Sequence, residues 1–71
     1  MDNTARITVN GEEQTLTKTE QPLTGFLKDL GFEDKPVLVE WNGTALHQRE
    51  HAETVLRNGD RLEIIQIVAG G

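Results

Sequence analysis

The chain has 71 residues, no cysteine, 35% hydrophobic residues and a net charge of −5. That length holds one small domain, which hides only about 60% of its unfolded surface and has too few residues to wall a deep catalytic cleft, so a carrier or binding module is expected rather than an enzyme. Twelve acidic against seven basic residues disfavour a nucleic-acid partner, and the lack of cysteine removes disulfides, thiolate chemistry and cysteine-ligated metals.

The first residues carry Asp2, Arg6, Glu12, Glu13, Lys18 and Glu20 without an apolar run of signal-peptide or membrane-span length, which predicts a cytoplasmic protein with no membrane partner. Ile7 and Val9 share a parity, with Arg6 and Thr8 on the other, so a half-buried strand is expected there. Asn10-Gly11 offers two positive-φ positions, and Thr15-Leu16-Thr17 supplies a return strand, so residues 6–17 read as a hairpin whose register is left open by Glu12 to Gln14. Leu23, Phe26, Leu27 and Leu30 fall at i, i+3, i+4 and i+7, one face of a short helix stopped by Gly31 and Pro36.

Val37, Val39 and Trp41 alternate with Leu38 and Glu40 in a third strand, followed by Asn42-Gly43 and a short fourth strand through Leu46. A polar crossing from His47 to Glu53 leads to Val55 and Leu56 as a plug, and Asn58-Gly59-Asp60 turns into a last strand from Leu62 to Val68. This final run is the most β-branched and belongs at a sheet centre, beside strand one. The order hairpin, helix, hairpin, crossing loop, strand predicts an α+β β-grasp fold: a mixed four- to five-stranded sheet with one main helix on one face. Residues 1–68 form that domain, and residues 69–71 form a tail.

The tail is Ala69-Gly70-Gly71, three residues nearly without side chains, able to carry the terminal carboxylate about 10 Å beyond the sheet into a narrow channel. A free α-carboxylate is ionised at neutral pH and a poor electrophile, so it needs activation, for which attack on the α-phosphorus of ATP is the usual route. With no Gly-rich phosphate loop and no basic cluster in this chain, the ATP site is expected in a partner.

Val9-Asn10-Gly11-Glu12, Leu27 to Gly31, Val37 to Gly43, and Gly59-Asp60-Arg61-Leu62-Glu63-Ile64 leading to Val68-Ala69-Gly70-Gly71 resemble, in this order and spacing, the ThiS family of thiamine-biosynthesis sulfur carriers. The resemblance implies a ubiquitin-like β-grasp protein that is a co-substrate of enzymes. Its Gly71 is expected to be adenylated by a ThiF-like activating enzyme with Mg-ATP, converted to a thiocarboxylate, and drained of its sulfur by a ThiG-like thiazole synthase. The chain itself is expected to bind no cofactor, to lack catalytic residues, and to be monomeric when free. Ala69, where the family often has Gly, and Ala45-Leu46-His47-Gln48 depart from the family pattern without touching the reacting carboxylate. MoaD-like subunits of molybdopterin synthase and ubiquitin-like modifiers share the tail and are the alternatives.

In the last strand, facing Leu62 and Ile64 toward the helix leaves Ile65 and Ile67 on the open sheet face near Leu38, an apolar patch rimmed by Glu40 and Glu63 that suits partner docking. His47 and His51, four apart, have the spacing of a shared helical face but no further ligands in context, so no metal site is expected. Trp41 reads as a core plug, and Asp29, Glu33 and Asp34 as a solvated acidic run.

Overall fold

The structure, a computed structural model, describes residues 4–33 and 35–67. Alternating apolar residues make β1 (Ala5–Val9), in which Ala5, Ile7 and Val9 are buried. Asn10 and Gly11 have φ of 50° and 84°, a two-residue turn whose twist matches paired strands. It sends the chain directly into β2 (Glu12–Leu16), so Val9 faces Glu12 and Ala5 faces Leu16. The expected return strand at residues 15–17 is therefore longer and earlier than its side chains imply. Glu12 to Gln14 have no apolar alternation, yet the turn geometry pairs them.

A short strand β3 (Glu20–Pro22) enters α1 (Leu23–Asp29), which buries Leu23, Phe26 and Leu27 as its spacing predicts. Pro22 offers no capping side chain, and the N–H of Leu23 instead donates to the carbonyl of Thr54 at 2.9 Å. At the other end Gly31, at φ 90°, lets Phe32 N–H reach the Leu27 carbonyl and Gly31 N–H reach that of Lys28, the paired bonds of a Schellman stop. Gly25, inside the helix, weakens it by about 1 kcal/mol relative to Ala. Such a seven-residue helix persists through packing.

β4 (Val37–Trp41) and β5 (Thr44–Leu46) flank a second Asn-Gly turn. The polar crossing is a 3-10 helix (Gln48–Glu53), for which the sequence shows no apolar period. It is followed by β6 (Val55–Arg57) and β7 (Arg61–Gln66). Among the described residues the strands form a five-stranded sheet, β2-β1-β7-β4-β5, and a separate two-stranded sheet of β3 and β6. β7 is central, parallel to β1 and antiparallel to β4, as its apolar density predicts. The β3–β6 ribbon is absent from the sequence expectation. Its members are three residues each and one contains Pro22, so it exists through what it packs against, with Leu56 of β6 fully buried.

The core lies between the sheet and α1, with Leu23, Val39 and Leu56 at 0% exposure. Burial of each is worth about 1.5–3 kcal/mol, enough to offset the weak local helix. Trp41 is only half-buried at the core edge, a partial departure from the expected plug. Its indole N–H donates to Asp60 at 3.0 Å, and that polar tip keeps one side of the ring toward the surface. No helix among the described residues is long and apolar enough to cross a membrane.

Candidate functional site: the central strand and its open face

β7 leads toward the C-terminus and is fixed from both sides by the two Asn-Gly turns. Asn10 bonds the backbone of Ile64 through both ends of its amide. Asn42 accepts from the N–H of Arg61 at 2.8 Å through Oδ1, while its own N–H donates to the Arg61 carbonyl at 2.8 Å. Each turn thus needs asparagine twice, once for the left-handed backbone and once for a side chain that imitates a neighbouring strand.

Asp60, just before β7, gathers three donors: Trp41 Nε1 at 3.0 Å, Asn42 Nδ2 at 3.1 Å and the N–H of Arg57 at 2.9 Å. Partial burial pushes its carboxyl pKa up, but donation by Trp41, Arg57 and Asn42, with the nearby Arg57 charge, outweighs burial and holds it below the usual value. In the sequence Asp60 shows only its place in a turn and in the run that resembles the family, not these three donors. The carboxylate locks the start of β7 to the second hairpin.

At the far end of β7, Gln66 pairs with Val37 and the N–H of Ile67 donates to the Pro36 carbonyl at 3.0 Å. The candidate reactive residue Gly71, with Gly70 and Ala69, lies outside the described residues. The strand that precedes them is therefore anchored through Ile67.

The two faces of β7 divide as the parity predicts: Leu62 and Ile64 are buried, and Ile65 and Ile67 are exposed at 49% and 51%, with Leu38 at 39%. Leu38 and Ile65 are cross-strand partners, and the next outward pair along the ladder is Glu40 with Glu63. Directly opposed like charges destabilise a sheet. Neither carboxylate has an ion-pair partner among the described residues, because the pairs there are Arg6–Glu13, Lys28–Glu33 and Arg57–Glu20. A hollow of about 280 Å³ lined by Thr8, Glu40, Arg61 and Glu63 continues this face toward the turns.

The two histidines part company. His47 is exposed, whereas His51 is 4% exposed. A 3-10 helix has three residues per turn, so positions four apart do not share a face. Burial lowers the His51 pKa, with the Glu50 charge opposing in part. Among the described residues no group of three or more His, Cys, Asp or Glu side chains converges as a metal site.

The sequence model of the ThiS family matches residues 4–71. The chain belongs to the ThiS family. A crystal structure of the thiamine biosynthesis protein ThiS from Geobacter metallireducens is 29% identical, covers 93% of this chain and 99% of that one, and superposes with a TM-score of 0.80. The α+β β-grasp fold expected from the element order is thereby shared with a ThiS protein. A thiazole synthase of Paramagnetospirillum magneticum is 29% identical over 66 residues, which cover 93% of this chain and 20% of that protein. This chain therefore spans about a fifth of the length of that relative. ThiS proteins are small sulfur carriers of thiamine biosynthesis, and this chain shares their family and fold.

Proposed function

We propose that the chain carries sulfur to thiazole formation as a thiocarboxylate on Gly71. A carboxylate oxygen of Gly71 attacks the α-phosphorus of Mg-ATP held by a ThiF-like enzyme, pyrophosphate leaves, and the acyl-adenylate forms. A sulfur nucleophile then displaces AMP at the acyl carbon, and the resulting thiocarboxylate donates its sulfur to a ThiG-like synthase in the cytoplasm. The observation that carries the reading is the family match, which runs through the Gly70-Gly71 terminus. The relationship to part of a thiazole synthase supports the second partner.

In this reading Ala69 and Gly70 thread the partner's channel. The four residues after Ile67 reach at most about 14 Å, so the partner must press close to the domain. Leu38, Ile65 and Ile67 provide an apolar contact and Glu40 and Glu63 an acidic margin for that approach, with the like-charge strain relieved by a cation on the partner. Removing Gly70 and Gly71 tests the reading: the shortened chain should fold with the same circular dichroism and fail to restore growth without thiazole. Restored growth would overturn it.

A further inference from the structure

On the helical side of the sheet, α1 and the 3-10 helix leave a groove of about 420 Å³. Buried Leu27, Val37 and His51 form its floor, and exposed Lys28, Lys35 and Arg49 stand around it. Two features of this groove lack a reason within the chain. The first is charge: three of only seven basic residues line it, although the chain carries −5 overall. Lys28 is 4.0 Å from Glu33, whereas Lys35 and Arg49 have no ion-pair partner among the described residues.

The second is Gly25. It occupies the interior of α1 without a positive φ, so no backbone conformation demands glycine there. A Cβ built on it meets nothing within 4 Å, so no close approach inside the chain demands glycine either. A residue that weakens its own helix, in open space, on the wall of a cationic groove, keeps room for something from outside.

We propose that this groove is a protein-docking site, separate from the open sheet face, which takes an acidic segment of the thiazole-synthase partner. One apolar side chain of the segment covers Leu27 and Val37 beside Gly25, and its carboxylates meet Lys35 and Arg49. The partner's identity rests on the sulfur-carrier reading and on the relative in which a matching domain is a fifth of a thiazole synthase. Position agrees with it: Pro36, between groove residues Lys35 and Val37, holds Ile67 at the end of β7. A segment seated in the groove thus approaches the end of the domain from which the chain runs on to Gly71.

The test uses the full chain, Gly25→Gln, and the double variant Lys35→Glu/Arg49→Glu, with an activating enzyme and a thiazole synthase. Gly25→Gln should melt at a higher temperature than the parent and bind the synthase at least about ten-fold more weakly. The charge-reversed chain should lose affinity most at low salt, and both variants should be thiocarboxylated at the parent rate. Unchanged synthase affinity in both, or a defect that falls on the activating enzyme instead, overturns the proposal, as does a thiocarboxylated parent with no affinity for the synthase. Should Gly25→Gln not fold, the charge-reversed chain decides alone. A parent that is never thiocarboxylated would refute the carrier reading and leave the groove to be judged on synthase binding.

Discussion

The side-chain amide of Asn10 is hydrogen-bonded to both backbone groups of Ile64, 54 residues away: Oδ1 accepts from the Ile64 N–H at 2.8 Å and Nδ2 donates to its carbonyl at 3.2 Å. β1 has already turned into its hairpin at this point, so the side chain continues the ladder that the backbone has left. Central β7 thereby stays paired on both sides up to the pair formed by Ile64 and Val39.

Asn10→Gly keeps the positive-φ turn and deletes both bonds, leaving two part-buried backbone groups without partners. It should lower stability by about 1–3 kcal/mol. Asn10→Ala should cost more, since it adds left-handed strain of about 1–2 kcal/mol. Equilibrium guanidinium unfolding gives both values, and equal midpoints for Asn10→Gly and the parent would contradict the role assigned to the amide.

Asp60 links acid stability to the same strand. Its folded-state pKa is depressed relative to the unfolded chain, so its stabilisation is fully present above the unfolded value. It is lost as the pH falls through the folded one, from about pH 4 downward. The parent should lose stability over that window, and Asp60→Asn should be less stable at neutral pH with a flatter acid profile. Trp41 is the single tryptophan and its indole bonds Asp60, so its fluorescence follows the transition directly.

His51 acts in a different window with the same sign. Its folded-state pKa lies below the unfolded value of about 6.5, since burial disfavours the charged ring more than Glu50 favours it. The unfolded chain therefore binds the proton first. Stability is complete above that unfolded value and declines as the pH falls toward the folded one. Melting temperatures from pH 8 to pH 5 should fall in the parent, and His51→Phe should remove that part of the slope. An unchanged slope in the variant would show that other groups cause it.

The Glu40–Glu63 pair separates stability from association. Glu63→Gln removes a like-charge opposition and should raise stability by about 0.2–1 kcal/mol. If the acidic margin meets a cation on a partner, the same variant should associate more slowly with the activating enzyme, most visibly at low salt. Stopped-flow association rates measure this, and parental rates at all salt concentrations would remove Glu63 from the contact.

Much of this architecture is legible in the sequence because local and tertiary preferences agree. Asn-Gly pairs specify two-residue turns, the 3.6-residue spacing of Leu23, Phe26 and Leu27 specifies α1, and the β-branched run at Ile64, Ile65 and Ile67 specifies a central strand. The parity of β7 also identifies the exposed pair Ile65 and Ile67. What is not legible depends on contacts between segments without a pattern of their own. The β3–β6 ribbon rests on the burial of Leu56 from β6, with Glu20 and Arg57 paired across it at 2.8 Å. The burial of His51 follows from α1 packing against a 3-10 helix that has no apolar period. The groove beside Gly25 leaves one early trace, a glycine inside a helical pattern, which in sequence alone reads as a weakness.

Sulfur carriage at Gly71 has a direct signature in mass. Intact-mass measurement of the full chain after incubation with a ThiF-like enzyme, Mg-ATP and a sulfur source decides it. Replacement of one carboxylate oxygen by sulfur is expected, located at Gly71 by fragmentation and absent without ATP. An unchanged mass under conditions that convert another ThiS protein, or sulfur found at any other residue, would contradict it.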